Sequence, residues 1–234
     1  MNIEIASENA LIIYLGETIS DETSLRVQSI AQRLPQLMGS HLLDLIPSYA
    51  SLLVIFNPLT CDHQQVRQWL IQANTQSTES AKDNSRLVQL PVYYSEESGP
   101  DLPFLAEQTG LTPKQIIDLH QQTDYRVYAI GFAPGFAYLG EIDKRLATPR
   151  RPTPRPHVPK GTVAIADRQT AVYPAASPGG WHLIGLCPTP MFDPQATPST
   201  PVAVGDQVRF TEIDRHEFLS LGGELPAEQS GAAY

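Results

Sequence analysis

A chain of 234 residues with 41% apolar side chains can bury one large core or two small ones, and its formal charge of −9 argues against nucleic acid as the main partner. Charged residues are sparse at 18% while prolines number 21, which favours loop-rich β structure over a helical bundle, since proline is excluded from helix interiors and central strands. Cys61 and Cys187 make neither a disulfide scaffold nor a Cys/His metal spacing. The amino terminus has no basic or long apolar leader, and the best apolar run there, Ala10 to Leu15, is far below the ~18 residues of a membrane span. A cytoplasmic protein that touches no membrane is expected.

Ile3 to Ile5 and Leu11 to Leu15 read as two strands around a Glu8-Asn9 turn. Ser20-Asp21-Glu22 reads as an N-cap with acids in the first turn, ahead of a helix with Leu25, Ile30, Leu34 and Leu37 on one side. Leu42 to Ile46 and Ser51 to Phe56 form a second strand pair joined at Pro47-Ser48-Tyr49. Asp62 then starts a helix carrying Val66, Trp69, Leu70 and Ala73. The order β-β-α-β-β-α predicts one sheet covered by two helices over residues 1–84. The polar stretch Asn74 to Ser85 is read as the linker.

Residues 85–234 have a different pattern. Short strands are expected at Leu87 to Tyr94, Tyr125 to Gly131, Thr162 to Ala166, Ala171 to Tyr173, Leu183 to Leu186 and Gln207 to Ile213. One helix is expected from Pro113 through His120, with Thr112 as its N-cap. Many short strands and few helices predict a barrel or sandwich.

The chemistry concentrates between Gly131 and Trp181. Gly131 to Gly140 sets three glycines among three aromatics, which suits either backbone amides laid against a ligand or a buried bend held by aromatic packing. Lys144, Arg145, Arg150, Arg151, Arg155 and Lys160 follow within 17 positions that hold no Asp or Glu. Prolines 149, 152, 154, 156 and 159 stiffen that segment into an extended strap. Guanidinium forks on such a strap suit carboxylate or phosphate; a solvated basic loop or a PxxP ligand are the competing readings. His182 is expected to be a structural histidine, while His157 lies inside the strap, closer to any anion. Ser177 stands outside any nucleophile elbow, no complete phosphate-loop motif occurs, and no metal site is expected.

Gly131-Phe-x-Pro-Gly-Phe-x-Tyr138, Pro149-Arg150-Arg151-x3-Arg155-x-x-Val158-Pro159-x-Gly161 and Tyr173-Pro174-x3-Pro178-Gly179-Gly180-Trp181-x-x-Ile184-Gly185 resemble, in this order, the family of the 5-oxoprolinase B subunit. That family includes the kinase inhibitor KipI and has carried the label allophanate hydrolase subunit 1. Phe192-Asp193-Pro194 and Gly205 to Phe210 extend the likeness to nearly the whole chain. One departure is local: Cys187 stands where the family commonly has Thr, so no hydroxyl function is expected there. The resemblance implies an α+β protein, a small amino-terminal α/β domain followed by a cyclophilin-like β-barrel. It implies partnership with the C subunit, a larger cyclophilin-like relative, and with the A subunit of 5-oxoprolinase. Together they would open the lactam of 5-oxoproline using ATP and Mg²⁺, the nucleotide held mainly by a partner. On that chemistry Arg150, Arg151, Arg155 and Lys160 are expected to form a catalytic cationic surface. Gly131, Phe132, Pro134, Gly135, Phe136, Tyr138, His157, Tyr173, Ser177, Gly179, Gly180 and Trp181 are expected to line the substrate pocket. Two other functions remain open: inhibition of a sensor histidine kinase, and a carboxyltransferase component working with a biotin carrier.

Overall fold

The computed structural model describes residues 1–18, 20–77 and 85–226. It divides into two compact units, Met1–Ser85 and Arg86–Tyr234.

In the first unit β1 (Asn2–Ser7), β2 (Ala10–Tyr14), β3 (Leu42–Ser48) and β4 (Ser51–Phe56) form an antiparallel sheet in the order β1-β2-β4-β3. Alternation sorts their side chains: Leu11 and Ile13 of β2 and Leu52, Val54 and Phe56 of β4 are buried on one face. Two helices, α1 (Asp21–Met38) and α2 (His63–Ser77), cover that face. Ser20 caps α1 by accepting from the Thr23 amide, and Asp62 caps α2 in a reciprocal pair with Gln65. The buried stripe of α1 is Val27, Ile30, Leu34 and Met38, so the expected stripe is rotated: Leu25 and Leu37 sit at its half-buried margins. Pro47 and Ser48 belong to β3 and not to the turn, which is Tyr49-Ala50. Helix α2 runs through Ser77 into the expected linker, whose residues 78–84 lie outside the described residues.

The second unit is a closed barrel. Its strands are β5 (Leu87–Tyr93), β6 (Tyr125–Ile130), β7 (Ala137–Gly140), β9 (Thr162–Ala166), β10 (Gln169–Val172), β12 (His182–Leu186) and β13 (Gln207–Ile213). They close in the order β10-β7-β6-β13-β5-β12-β9, antiparallel except for the β13–β5 pair. A separate two-stranded ribbon pairs β8 (Arg155–Val158) with β11 (Ser177–Gly179). Helices α3 (Leu102–Thr109) and α4 (Pro113–Gln121) pack into the barrel core, and α5 (Arg215–Ser220) follows β13. The α+β class and the barrel agree with the sequence expectation. The sequence did not disclose β7, β8, β11, α3 or α5.

Every residue of β9 and β12 is buried, because each of these strands serves two cores. Val163, Ile165 and Ile184 join the main barrel cluster, while Ala164, Ala166 and Leu183 join a second cluster with Ala171, Phe136, Val158, Tyr173 and Trp181. The small alanines on this wall leave room for large rings. The site is built on that second cluster.

Candidate functional site

Phe136 is the hub of the second cluster. Its ring meets Phe132, Tyr138, Tyr173 and Trp181 edge-on, with centroids 5.4, 4.8, 5.3 and 6.0 Å away. Tyr138 projects from β7, Tyr173 follows β10 and Trp181 precedes β12, so three barrel strands fix the rings. Phe132 differs from the others: it is 71% exposed and sits at φ 71°, a left-handed conformation that costs a bulky residue energy. An exposed ring held in a strained backbone at the rim of a hollow marks a functional position more readily than a packing one.

These rings, with Pro154, Pro178, Gly179, Gly180 and Arg150, enclose a hollow of about 330 Å³. The Arg150 guanidinium carbon lies 5.7 Å from the Trp181 ring centroid, within cation–π range. Its Nε also faces Asp167 at 3.4 Å, but both side chains are more than half exposed, so the pair is weak and open to competition from a ligand. Gly179 is required by space, since a Cβ there would lie 2.4 Å from the Tyr173 hydroxyl. Gly135, at φ 80°, turns the chain between Phe132 and Phe136, and a Cβ there would meet the Met191 carbonyl at 2.3 Å. Burial pushes the Tyr173 phenol up to about 12, so it is a neutral hydrogen-bonding group at neutral pH.

The structure therefore brings Phe132, Phe136, Tyr138, Arg150, Tyr173, Gly179, Gly180 and Trp181 into one hollow. Gly131, Pro134 and Gly135 form the turn that positions its aromatic wall. Ser177 lies in β11 opposite Val158 and His157 is exposed in β8; neither lines the hollow. Lys160 opens onto a different hollow of about 350 Å³, beside Gly161, Cys187 and Glu224. Cys187 is buried, which raises its thiol to about 11 and leaves it without thiolate character.

The strap differs most from expectation. It is no free row of guanidinium groups, because acids outside the strap meet four of its six cations: Asp143 beside it, and Asp167 and Asp101 further along the chain. Asp143 caps a single 3₁₀ turn at Lys144–Leu146 and holds Arg145 at 2.7 Å. Arg155 is 7% exposed and its Nη2 donates to Asp101 Oδ1 over 2.6 Å; Arg151 Nη1 donates to the same oxygen over 3.2 Å. The other Asp101 oxygen accepts from the Leu183 amide at 2.7 Å, which ties the strap to β12. Arg155 is thus placed as a buried brace beneath the hollow, outside its wall. Asp101 itself carried no sequence signal, standing before a short helix 50 and 54 residues from its partners. His182 is buried, donates from Nε2 to the Pro149 carbonyl at 2.8 Å and stacks on Phe104 at 5.3 Å.

A sheet-and-helix unit, followed by a barrel whose outer wall carries a glycine, aromatic and arginine site, defines the class: residues 1–202 match the family described as carboxyltransferase domain, subdomain C and D. Within it, the chain belongs to the family of the 5-oxoprolinase B subunit. It is 35% identical over 226 residues to the 5-oxoprolinase B subunit of Bacillus subtilis (strain 168), covering 92% of this chain and 94% of that one. It is also similar to the crystal structure of TTHA0988, at 35% identity and TM-score 0.78, over 94% of this chain and 41% of that one; the chain thus spans less than half of that protein. The K. lactis urea amidolyase shares the fold at 15% identity and TM-score 0.71, over 93% of this chain and 15% of that protein. No helix among the described residues is long and apolar enough to cross a membrane.

Proposed function

We propose that this chain is the B subunit of an ATP-dependent 5-oxoprolinase, a cytoplasmic hetero-oligomer with an A and a C subunit that opens 5-oxoproline to L-glutamate. The aromatic hollow receives the lactam. The carrying observation is that a weakly engaged guanidinium, Arg150, stands over Trp181 at the rim of a bowl of rings. A flat five-membered amide with one carboxylate fits that pairing: the ring lies against the aromatics and Arg150 grips the carboxylate bidentately.

A lactam carbonyl is a poor electrophile, and ATP supplies the activation by phosphorylating its oxygen. Among the described residues none in the hollow suits nucleophilic attack, since Tyr173 stays protonated at about 12 and Cys187 lines the other hollow at about 11. The chain binds and orients the substrate, and its rings exclude water from the faces of the lactam. It is inactive alone, and the attacking water is positioned where the C subunit completes the site.

The chain, co-expressed with its A and C partners, should give ATP hydrolysis that depends on 5-oxoproline. In that complex Arg150→Ala should raise KM for 5-oxoproline at least tenfold, the scale of losing a charge-assisted hydrogen bond of about 1.5–3 kcal/mol. An assembled complex that hydrolyses no ATP with 5-oxoproline overturns the proposal. Transfer of carboxyl groups from a biotin carrier, in its place, would put the chain among carboxyltransferase components.

A further inference from the structure

Arg150 lines two hollows. The second is a larger one of about 590 Å³ whose wall includes Phe104, Thr148, Arg150, Arg151, Thr153 and His182. No Asp or Glu is among the described residues lining it, in a chain of net charge −9. Arg151, in this wall, shares the carboxylate of Asp101 with the buried Arg155. Arg150 adds a second cation whose close acid, Asp167, is solvent-exposed. A hollow walled by two guanidiniums, with no carboxylate among its described lining residues, suits an anion of more than one charge.

Part of the wall is aromatic. Phe104 is 42% exposed yet stacked on the buried His182, with planes 18° apart, so its ring is fixed before anything binds. A braced aromatic face beside two guanidinium forks matches a ligand with a planar base at one end and phosphates at the other.

We propose that this hollow is a nucleotide site, with the phosphates between Arg150 and Arg151 and the base on Phe104. Arg150 is the wall shared with the aromatic hollow, so the phosphate end meets the occupant of that hollow. This last point rests on the function proposed above and moves the nucleotide, which the sequence assigned mainly to a partner, onto this chain. Among the described residues no carboxylate lines the hollow, so a magnesium ion would arrive on the phosphates and not on a protein ligand.

The test is calorimetric titration of the full chain with ATP and, separately, with inorganic pyrophosphate. Both should bind saturably. Thr153→Glu, a change at an exposed position, should weaken both at least tenfold, and Thr153→Lys should tighten pyrophosphate. Phe104→Ala should weaken ATP at least fivefold while leaving pyrophosphate within twofold. Absence of saturable binding to the unaltered chain, or indifference to both changes at Thr153, overturns the assignment. Equal effects of Phe104→Ala on the two ligands would reduce the site to one for free phosphates and so overturn the nucleotide. These titrations need no turnover. A complex inactive with 5-oxoproline leaves them standing, and a failed titration leaves turnover possible with nucleotide held by a partner.

Discussion

Asp101 is 3% exposed, and its two oxygens accept from Arg155, Arg151 and the Leu183 amide. A buried carboxylate of this kind is worth little net stability against an apolar alternative, but its removal strands the charges it neutralises. Asp101→Ala leaves Arg155 buried beside Arg151 with their shared counter-charge gone, and should destabilise the barrel unit by about 3–5 kcal/mol. Arg150→Ala breaks an exposed ion pair with Asp167 and the cation–π contact over Trp181, and should change stability by about 1 kcal/mol or less. Thermal unfolding of the two variants, followed by circular dichroism, compares them directly. Equal losses would show that Arg150 is also part of the frame. The comparison separates a residue that braces the hollow from one that faces into it.

At the scale of elements, short-range chemistry set most boundaries. Thr112 accepts from the Gln115 amide, Gln115 Oε1 accepts from the Thr112 amide at 2.8 Å, and Pro113 occupies the first turn of α4. Thr112→Ala should cost about 1 kcal/mol in chemical denaturation, and Thr112→Ser should restore most of it. A loss well under half that would mean that packing of Ile116 and Ile117 fixes the helix without its cap. The β-β-α-β-β-α order and six barrel strands were legible for the same local reasons: alternation, caps and turn residues. Elements without such signals were not. Helix α3 spans eight residues and buries only Leu102 and Leu105, too few to display a period. Strand β7 hides behind Gly and Pro, and β8 carries a proline that made it read as part of an extended strap. The rings and glycines of the site were legible because they cluster in sequence. The pairing of its arginines was not, because Asp101 lies 50 or more residues away and no window of composition can see it.

On the scale of the whole molecule, the chain holds two units with separate cores, so its unfolding is not a single transition by default. Each unit has one of the two tryptophans: Trp69 in α2 and Trp181 beside β12. In Trp69→Phe the remaining fluorescence reports the barrel alone. The barrel core contains a polar thread. The Tyr94 hydroxyl meets His120 Nδ1 at 2.7 Å, His120 Nε2 meets Thr170 Oγ1 at 2.9 Å, and Thr170 donates to the Ala164 carbonyl at 3.1 Å. Because the Thr170 proton goes to Ala164, Nε2 carries the imidazole proton and Nδ1 accepts from Tyr94. The thread is satisfied only by a neutral ring. Burial accordingly holds the His120 pKa down at about 3, against about 6.5 in an unfolded chain. Below pH 6.5 the unfolded state takes up a proton that the native barrel refuses. This contribution is therefore intact above that pH and is lost progressively as pH falls towards 3. Between pH 7 and pH 5 it amounts to about 2 kcal/mol. Urea unfolding of the Trp69→Phe protein at those two pH values should show barrel stability falling by about that much, on top of any change from carboxylates. His120→Gln should lower stability at both pH values, since the thread is broken, yet remove this part of the fall. An unchanged pH dependence in the His120→Gln protein would place the acid lability of the barrel elsewhere.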